Sequence, residues 1–345
     1  MPHLSVGIIS ALDYTRYGAI VQTPARCYNE GMEIRPYRGS DEDALLILWN
    51  LAMPADAIDE ATFRTKVLLD ANFRPDGLLL ADELGTLHGF VLSLTRQVPL
   101  FLQGLEPELG WITAFGVHPA HRRRGLGREL FEAVQGRMAT LGRRKVLIAP
   151  YTPNYFIPGI DTGAYPEAMG FLRATGWQVS SEPISMHADL TGFRIPQHIL
   201  DLERQLAEKE GIRIRPVQAT DLANLMPFVS GTFGWDWFRL AQESLLELFG
   251  NGSGELALLV AVQGQSIVGY CQQRRERFGP FGVVPEMRGK GIGRVLLFRC
   301  LATMLARGFH CAWLLWTGKD VARLYSLAGF RQVRQFAVLR REIGD

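Results

Sequence analysis

The chain of 345 residues is short of most features that would commit it to a membrane, a disulfide scaffold or a nucleic acid. No apolar run reaches the roughly 18 residues that a bilayer-crossing helix needs. The opening stretch "MPHLSVGIISALDYTRYG" has neither a basic start nor a long apolar core, so it reads as a loosely attached extension and not as a secretory signal. There are only four cysteines, Cys27, Cys271, Cys300 and Cys311, in apolar surroundings and without CxxC pairing. That usage suits small buried hydrophobes in a reducing compartment, so the expected location is cytoplasmic. A net charge of +2 is too small for a general nucleic-acid binder, and any basic site must be local. His118 and His121 form an HxxH pair, yet no acidic or cysteine ligand accompanies them, and they are read as loop histidines with no metal. The GxxxxGK[ST] phosphate motif is missing. The G-x-G-x-x-G of dinucleotide folds fails because Leu130 and Arg294 stand where its third glycine belongs.

What the chain does have is repetition, at a length that suits two domains of roughly 150 residues each. "MEIRPYRGSDEDALLILW" from residue 32 matches "IRIRPVQATDLANLMPF" from residue 212, with Ile34 and Ile214 180 residues apart. "HRRRGLG" (121–127) matches "MRGKGIG" (287–293) at a separation of 166, and "FLRATGW" (171–177) matches "LYSLAGF" (324–330) at 153. The shrinking separation places extra loop residues in the first copy, before and after its glycine turn. Each copy reads as a short strand, a helix, two β-rich runs, a strand leading into the glycine turn, a helix opened by that turn, a buried strand, a helix and two closing strands. The expected fold is α/β, two tandem domains that each carry a mixed, mostly antiparallel sheet flanked by helices. The expected boundaries are an extension over 1–31, a first domain over 32–190, a helical linker over 191–211 ended by Gly211, and a second domain over 212–345.

Arg-x-x-Gly-x-Gly between a strand and a helix gathers unpaired backbone N–H groups at the positive end of a helix dipole. Such a nest binds phosphate, and the glycines permit the tight turn and the close approach. In the first copy the grip would be Val117, Arg122, Arg123, Arg124, Gly125, Leu126, Gly127 and Arg128. In the second it would be Arg288, Gly289, Lys290, Gly291, Ile292, Gly293 and Arg294. With the strand before it, the buried strand after it and "L-Y-x-x-x-G-F" further on, this order of elements resembles the GNAT acetyltransferase superfamily over residues 32–190 and 212–343. The resemblance implies that the turn holds the pyrophosphate of acetyl-coenzyme A, the acyl donor, and that an amine, on a small molecule or a peptide, is the acceptor.

It further implies an oxyanion site of backbone N–H groups near Phe281, Gly282 and Val283, or near Phe115 to Val117 in the first copy. It implies a tyrosine that protonates the leaving thiolate. Tyr325 holds that position in the second copy, whereas Leu172 holds it in the first, and Tyr165 lies seven residues upstream, able to reach the pocket only if the "YTPNYFIPGIDTG" insertion bends the chain there. The asparagine often found seven residues before the tyrosine is Gly318 here. The second copy is therefore the expected catalyst, the first being either a second coenzyme site or a structural partner. Catalysis in the first or in both copies, and a non-catalytic acyl-coenzyme A sensor, stand as alternatives. For the base, Glu276 is the nearest carboxylate by sequence, though strand alternation can point it away from the pocket, which favours a water relay or a residue from elsewhere. Trp235, Asp236 and Trp237 offer an aromatic, acidic cup for a cationic acceptor, or else a packed core cluster. A homodimer is left open, and no nucleic acid or membrane partner is expected.

Overall fold

The computed structural model describes residues 31–250, 252 and 254–343, so the extension before residue 31, with Cys27, lies outside the described residues. In the first copy the elements are β1 (Met32–Pro36), α1 (Glu42–Ala52), α2 (Glu60–Phe63), β2 (Leu78–Glu83), β3 (Thr86–Leu94), β4 (Leu109–Val117), α3 (Leu126–Thr140), β5 (Lys145–Ile148), β6 (Ile160–Asp161), α4 (Pro166–Ala174), β7 (Gln178–Ser181) and β8 (Ile184–Asp189). After α5 (Gln197–Glu210) come β9 (Ile212–Pro216), α6 (Leu222–Phe233), α7 (Trp235–Phe249), β10 (Leu256–Gln263), β11 (Ser266–Arg274), β12 (Arg277–Val283), α8 (Ile292–Ala306), β13 (Cys311–Thr317), α9 (Lys319–Ser326) and β14 (Arg331–Glu342).

The duplication survives in atomic detail. The first strand of each copy ends in Arg-Pro, and its arginine takes an aspartate six residues on with two bonds: Arg35 to Asp41 at 2.7 and 2.8 Å, Arg215 to Asp221 at 2.6 and 2.8 Å. The same aspartate accepts the backbone N–H of Arg38 or Gln218, which fixes the approach to α1 or α6. Alternation then sorts the strands of the first copy. Leu79, Ala81, Val91 and Ile112 join the α3 core, while Leu78, Leu80, Phe90, Leu92 and Ala114 join the α1 core.

The halves are joined through one sheet in the order β1-β2-β3-β4-β5-β14-β8-β13-β12-β11-β10-β9, with β6 and β7 also on β14. This departs from the expectation that each copy is closed by its own last two strands. The last strand of each copy is inserted in the other. β8 lies on β13, with Leu314 opposite Met186, and the far half of β14 lies on β5, with Leu339 opposite Ile148. Packing follows the pairing: Ile184, Met186 and Ala188 sit in the α8 core, Ala337 and Leu339 in the α3 core. Strand periodicity assigns faces and not partners, and two duplicated sheets offer equivalent slots, so an exchange leaves the sequence pattern untouched.

Candidate active site

The glycine turns are built alike. Gly125 and Gly291 are the residues preceding α3 and α8, at φ +94 and +93, where a Cβ would be strained. Arg122 Nε reaches back to the carbonyl of Val117 at 3.1 Å, and Arg288 Nε to that of Val283 at 3.2 Å, so the first arginine of each motif ties the turn to the strand before it. On those strands, the N–H of His118 bonds to His88 O and that of Val284 to Val268 O, both at the inner neighbour. Alternation turns the N–H groups of Phe115 and Val117, or Phe281 and Val283, to the opposite edge.

In the first copy that edge is free. The parallel pairing of β4 with β5 ends at Ile112 and Ile148, closed by the N–H of Ala149 on Ile112 O at 2.9 Å. Beyond it the strands part, and a cavity of about 620 Å³ opens between them. Arg122, Arg123, Gly125, Gly127 and Arg128 stand at one end of it, and Thr113, Ala149, Ile157 and Tyr165 line it further in, with Ala52 and Met53 from the end of α1. Its size lies within the range of about 300–1,000 Å³ usual for ligand sites. Gly116 lets the end of α1 close on β4: a Cβ there would come within 2.6 Å of Ala52 Cβ. Arg122 has Glu167 at 3.5 Å, whereas Arg123, Arg124 and Arg128 have no carboxylate within 4 Å among the described residues, leaving their charge for a ligand.

The second copy differs in what surrounds the same position. β12 registers with β13 at Arg277 and Trp313. Tyr325 is 8% exposed and ringed by Phe278, Phe281 and Phe330 at 5.7–6.0 Å between centroids. Burial pushes its phenol well above the ordinary value. Phe233, in the place of Met53, covers Gly282, whose Cβ would meet its ring at 2.4 Å. At the glycine turn, Leu202 of α5 packs against Gly291, and Lys290 is paired with Glu210 at 2.7 Å. Tyr325, the expected acid, thus stands among three phenylalanine rings drawn from β12 and from the end of its own helix.

Glu276 lies in the hairpin turn before β12 and not on the strand. Six to seven residues at about 3.3 Å each put it some 20 Å from the Val283 end of β12, where the glycine turn begins. Trp235, Asp236 and Trp237 open α7 as a packed cluster and not as a cup. Trp237 stacks on Phe233, Asp236 is paired with Arg239 at 2.9 Å, and Trp235 stacks on Phe101 of the first copy at 5.6 Å. The 151–163 insertion meets the second copy, Tyr155 packing on Trp316 at 6.1 Å. His118 and His121 lie in a ring cluster, His121 stacked on His88 at 3.8 Å.

A polar cluster that sequence reasoning missed stands behind Tyr165. Tyr165 reaches the cavity wall, but its hydroxyl donates to Asp56 Oδ2 at 2.8 Å, and burial together with that carboxylate raises its pKa. Arg334, from β14 of the second copy, holds Asp56 with two bonds of 2.7 and 2.9 Å and Asp161 with one of 2.5 Å. Nothing in the local pattern of "RQVRQFAV" separates this arginine from a surface one.

A glycine turn at a helix N-terminus with unpaired guanidinium groups, continuous with a cavity between parting strands, is suited to a ligand with a phosphorylated handle. The fold and the family match together make the protein an acyltransferase. The comparisons say which kind: the acetyltransferase (GNAT) family matches residues 44–155 and again 222–330, and the chain belongs to that family, carrying two of its domains. It is 30% identical over 159 residues to the mycothiol acetyltransferase of Thermobispora bispora, a match that takes in 44% of this chain and 50% of that protein. In fold it resembles a GCN5-related N-acetyltransferase from Sphaerobacter thermophilus (TM-score 0.64, 22% identity, 91% of this chain and 96% of that one). It also resembles a tandem GNAT protein from the clavulanic acid biosynthesis pathway (TM-score 0.58, 18% identity, 91% and 99%). Among the described residues no helix is long and apolar enough to cross a membrane.

Proposed function

We propose that the chain transfers an acetyl group from acetyl-coenzyme A to a primary amine, and that the first copy is where it does so. The cavity between β4 and β5 carries this reading, because it joins the glycine turn to the N–H groups of Phe115 and Val117. In it the pyrophosphate would lie on Gly125 to Arg128 with Arg123 beside it, and the thioester carbonyl would face the Phe115 N–H, which stabilises the oxyanion as charge develops. The amine nitrogen attacks that carbon, the C–N bond forms and the C–S bond breaks, and the proton lost by nitrogen ends on the coenzyme thiolate, directly or through water. Free amines are scarce at neutral pH, about one part in a thousand for a pKa near 10, so the slot's apolar walls matter by favouring the neutral form. The second copy serves as scaffold, lending β14 and Arg334.

Acetyl-coenzyme A binding measured by calorimetry separates the copies. The double substitution Arg123→Ala and Arg128→Ala should weaken binding at least tenfold, since charge-assisted bonds contribute about 1.5–3 kcal/mol each. Arg288→Ala with Arg294→Ala should leave it within a factor of about two. Loss of binding in the second pair alone would move the site to the second copy.

A further inference from the structure

β4 carries one residue more than β3 can pair. Leu92 is opposite Ala114 and Ser93 opposite Ile112, so Thr113 faces no residue of its neighbour. Bulges of this kind re-aim a side chain. Thr113 is 7% exposed, its Oγ1 is buried without a hydrogen-bond partner, and it lines the cavity. An orphaned buried hydroxyl is a standing cost to the fold, and one that lines a cavity can take its partner from a ligand bound there. The second copy, 166 residues on, has Gly279 here, with no hydroxyl to orphan.

Which ligand meets it follows from the faces of the sheet. Ile112 and Phe115 pack toward α3, the side of the glycine turn from which the coenzyme approaches. Ala114 packs toward α1, and Gly116 touches Ala52 at its end, the far side of the gap. Thr113 adjoins Ala114 where the strands part, opposite the coenzyme's approach. Resting on the proposed function, we infer that the Thr113 hydroxyl receives the acceptor amine, accepting one N–H so that the nitrogen lone pair points at the thioester carbon. It holds the nucleophile and gives up no proton of its own. The acceptor class is a primary amine or amine-like nucleophile small or slender enough to reach Thr113 past Ala52 and Met53.

Hydroxylamine is a suitable probe, small enough for any acceptor channel, with thiol release as the readout. Thr113→Val keeps the shape and removes the hydroxyl. The expected result is a melting temperature equal to or above that of the native chain, an unchanged dissociation constant for acetyl-coenzyme A, and a rate with hydroxylamine about tenfold lower. Thr113→Ser should restore most of that rate, which a purely structural threonine would not require. An unchanged rate in Thr113→Val would overturn the inference. So would a fall in coenzyme affinity that matches the fall in rate, because the hydroxyl would then serve the donor. A native chain that binds acetyl-coenzyme A but never turns over hydroxylamine counts against it as well. Should Thr113→Val not fold, the Thr113→Ala and Thr113→Ser pair gives the same comparison. Failure of the native chain to bind acetyl-coenzyme A in the first copy is a different outcome, read by calorimetry, and removes the proposed function itself.

Discussion

Replacing Arg334 by methionine tests whether the exchanged strand holds the two halves together electrostatically as well as by pairing. The guanidinium makes three charge-assisted bonds, two to Asp56 and one to Asp161, and the two carboxylate side chains are only 7% and 8% exposed. At about 1.5–3 kcal/mol each, three such bonds amount to roughly 5–9 kcal/mol gross. Freed carboxylates recover part of that from water or protons, and breaking a buried pair from one side typically costs about 3–5 kcal/mol. Arg334 is itself 27% exposed, so the lower end applies, about 3 kcal/mol. Urea unfolding followed by tryptophan fluorescence is the assay, as both halves carry tryptophans, Trp49, Trp111 and Trp177 in one and Trp235, Trp237, Trp313 and Trp316 in the other. The native chain should unfold in one transition, and Arg334→Met should move its midpoint down accordingly. Arg204→Met, removing an exposed pair with Asp201, should cost under about 0.5 kcal/mol. Adding Asp56→Asn and Asp161→Asn to Arg334→Met should recover part of the loss. A cost below about 1 kcal/mol for Arg334→Met would refute the reasoning.

Tyr325→Phe should leave thioester cleavage unchanged, the ring staying packed among Phe278, Phe281 and Phe330; a large fall in turnover would place Tyr325 in the chemistry. The Asp41 carboxyl is held below its usual range, chiefly by the hydrogen bonds from Arg35. A depressed folded pKa gives stability that is complete above the unfolded value of about 3.9 and lost as pH falls through the folded one. Asp41→Asn should therefore lower the urea midpoint clearly at pH 7 and much less at pH 3. A double-mutant cycle on Phe101 and Trp235, to alanine, should show about 0.5 kcal/mol of coupling between the halves, and none if the stack does not persist in solution. A fragment ending at Gly211 lacks β14, leaving the β5 edge and the Asp56 and Asp161 carboxylates without partners, and should fail to give a cooperative melt unless residues 212–345 are co-expressed.

Much of the architecture was legible because it rests on local chemistry. Periodicity and the glycine turns are short-range signals, and Gly125 and Gly291 adopt the left-handed turn for which only glycine is suited. The exchange of β8 and β14 was not legible, since the pattern of buried Ile184, Met186 and Ala188 is equally at home in either sheet. Tyr325 draws on both local and long-range signals. Its place in "LYSLAGF" is that of the family's acid, yet whether a phenol faces a channel depends on Phe278, Phe281 and Phe330, which come together from separate elements. Thr113 is the converse, unremarkable as one threonine in "WITAFGV" and conspicuous once the register of β3 and β4 leaves it unpaired.

The two grips differ through what leans on them and not through the turn itself. Arg122 and Arg288 make the same bond to the strand, and Gly125 and Gly291 share one backbone conformation. In the second copy, however, Lys290 already has an anion in Glu210, and α5 lies along α8 with Leu202 on Gly291 and Glu203 on Arg299. A coenzyme arriving there would have to compete with a carboxylate supplied by the chain itself. In the first copy Arg124 stands where Lys290 stands in the second, with no carboxylate within 4 Å among the described residues. A duplicated phosphate turn can in this way keep its backbone geometry while the helix between the copies takes up one of its cations, Lys290, and leaves Arg288 and Arg294 with no carboxylate within 4 Å among the described residues.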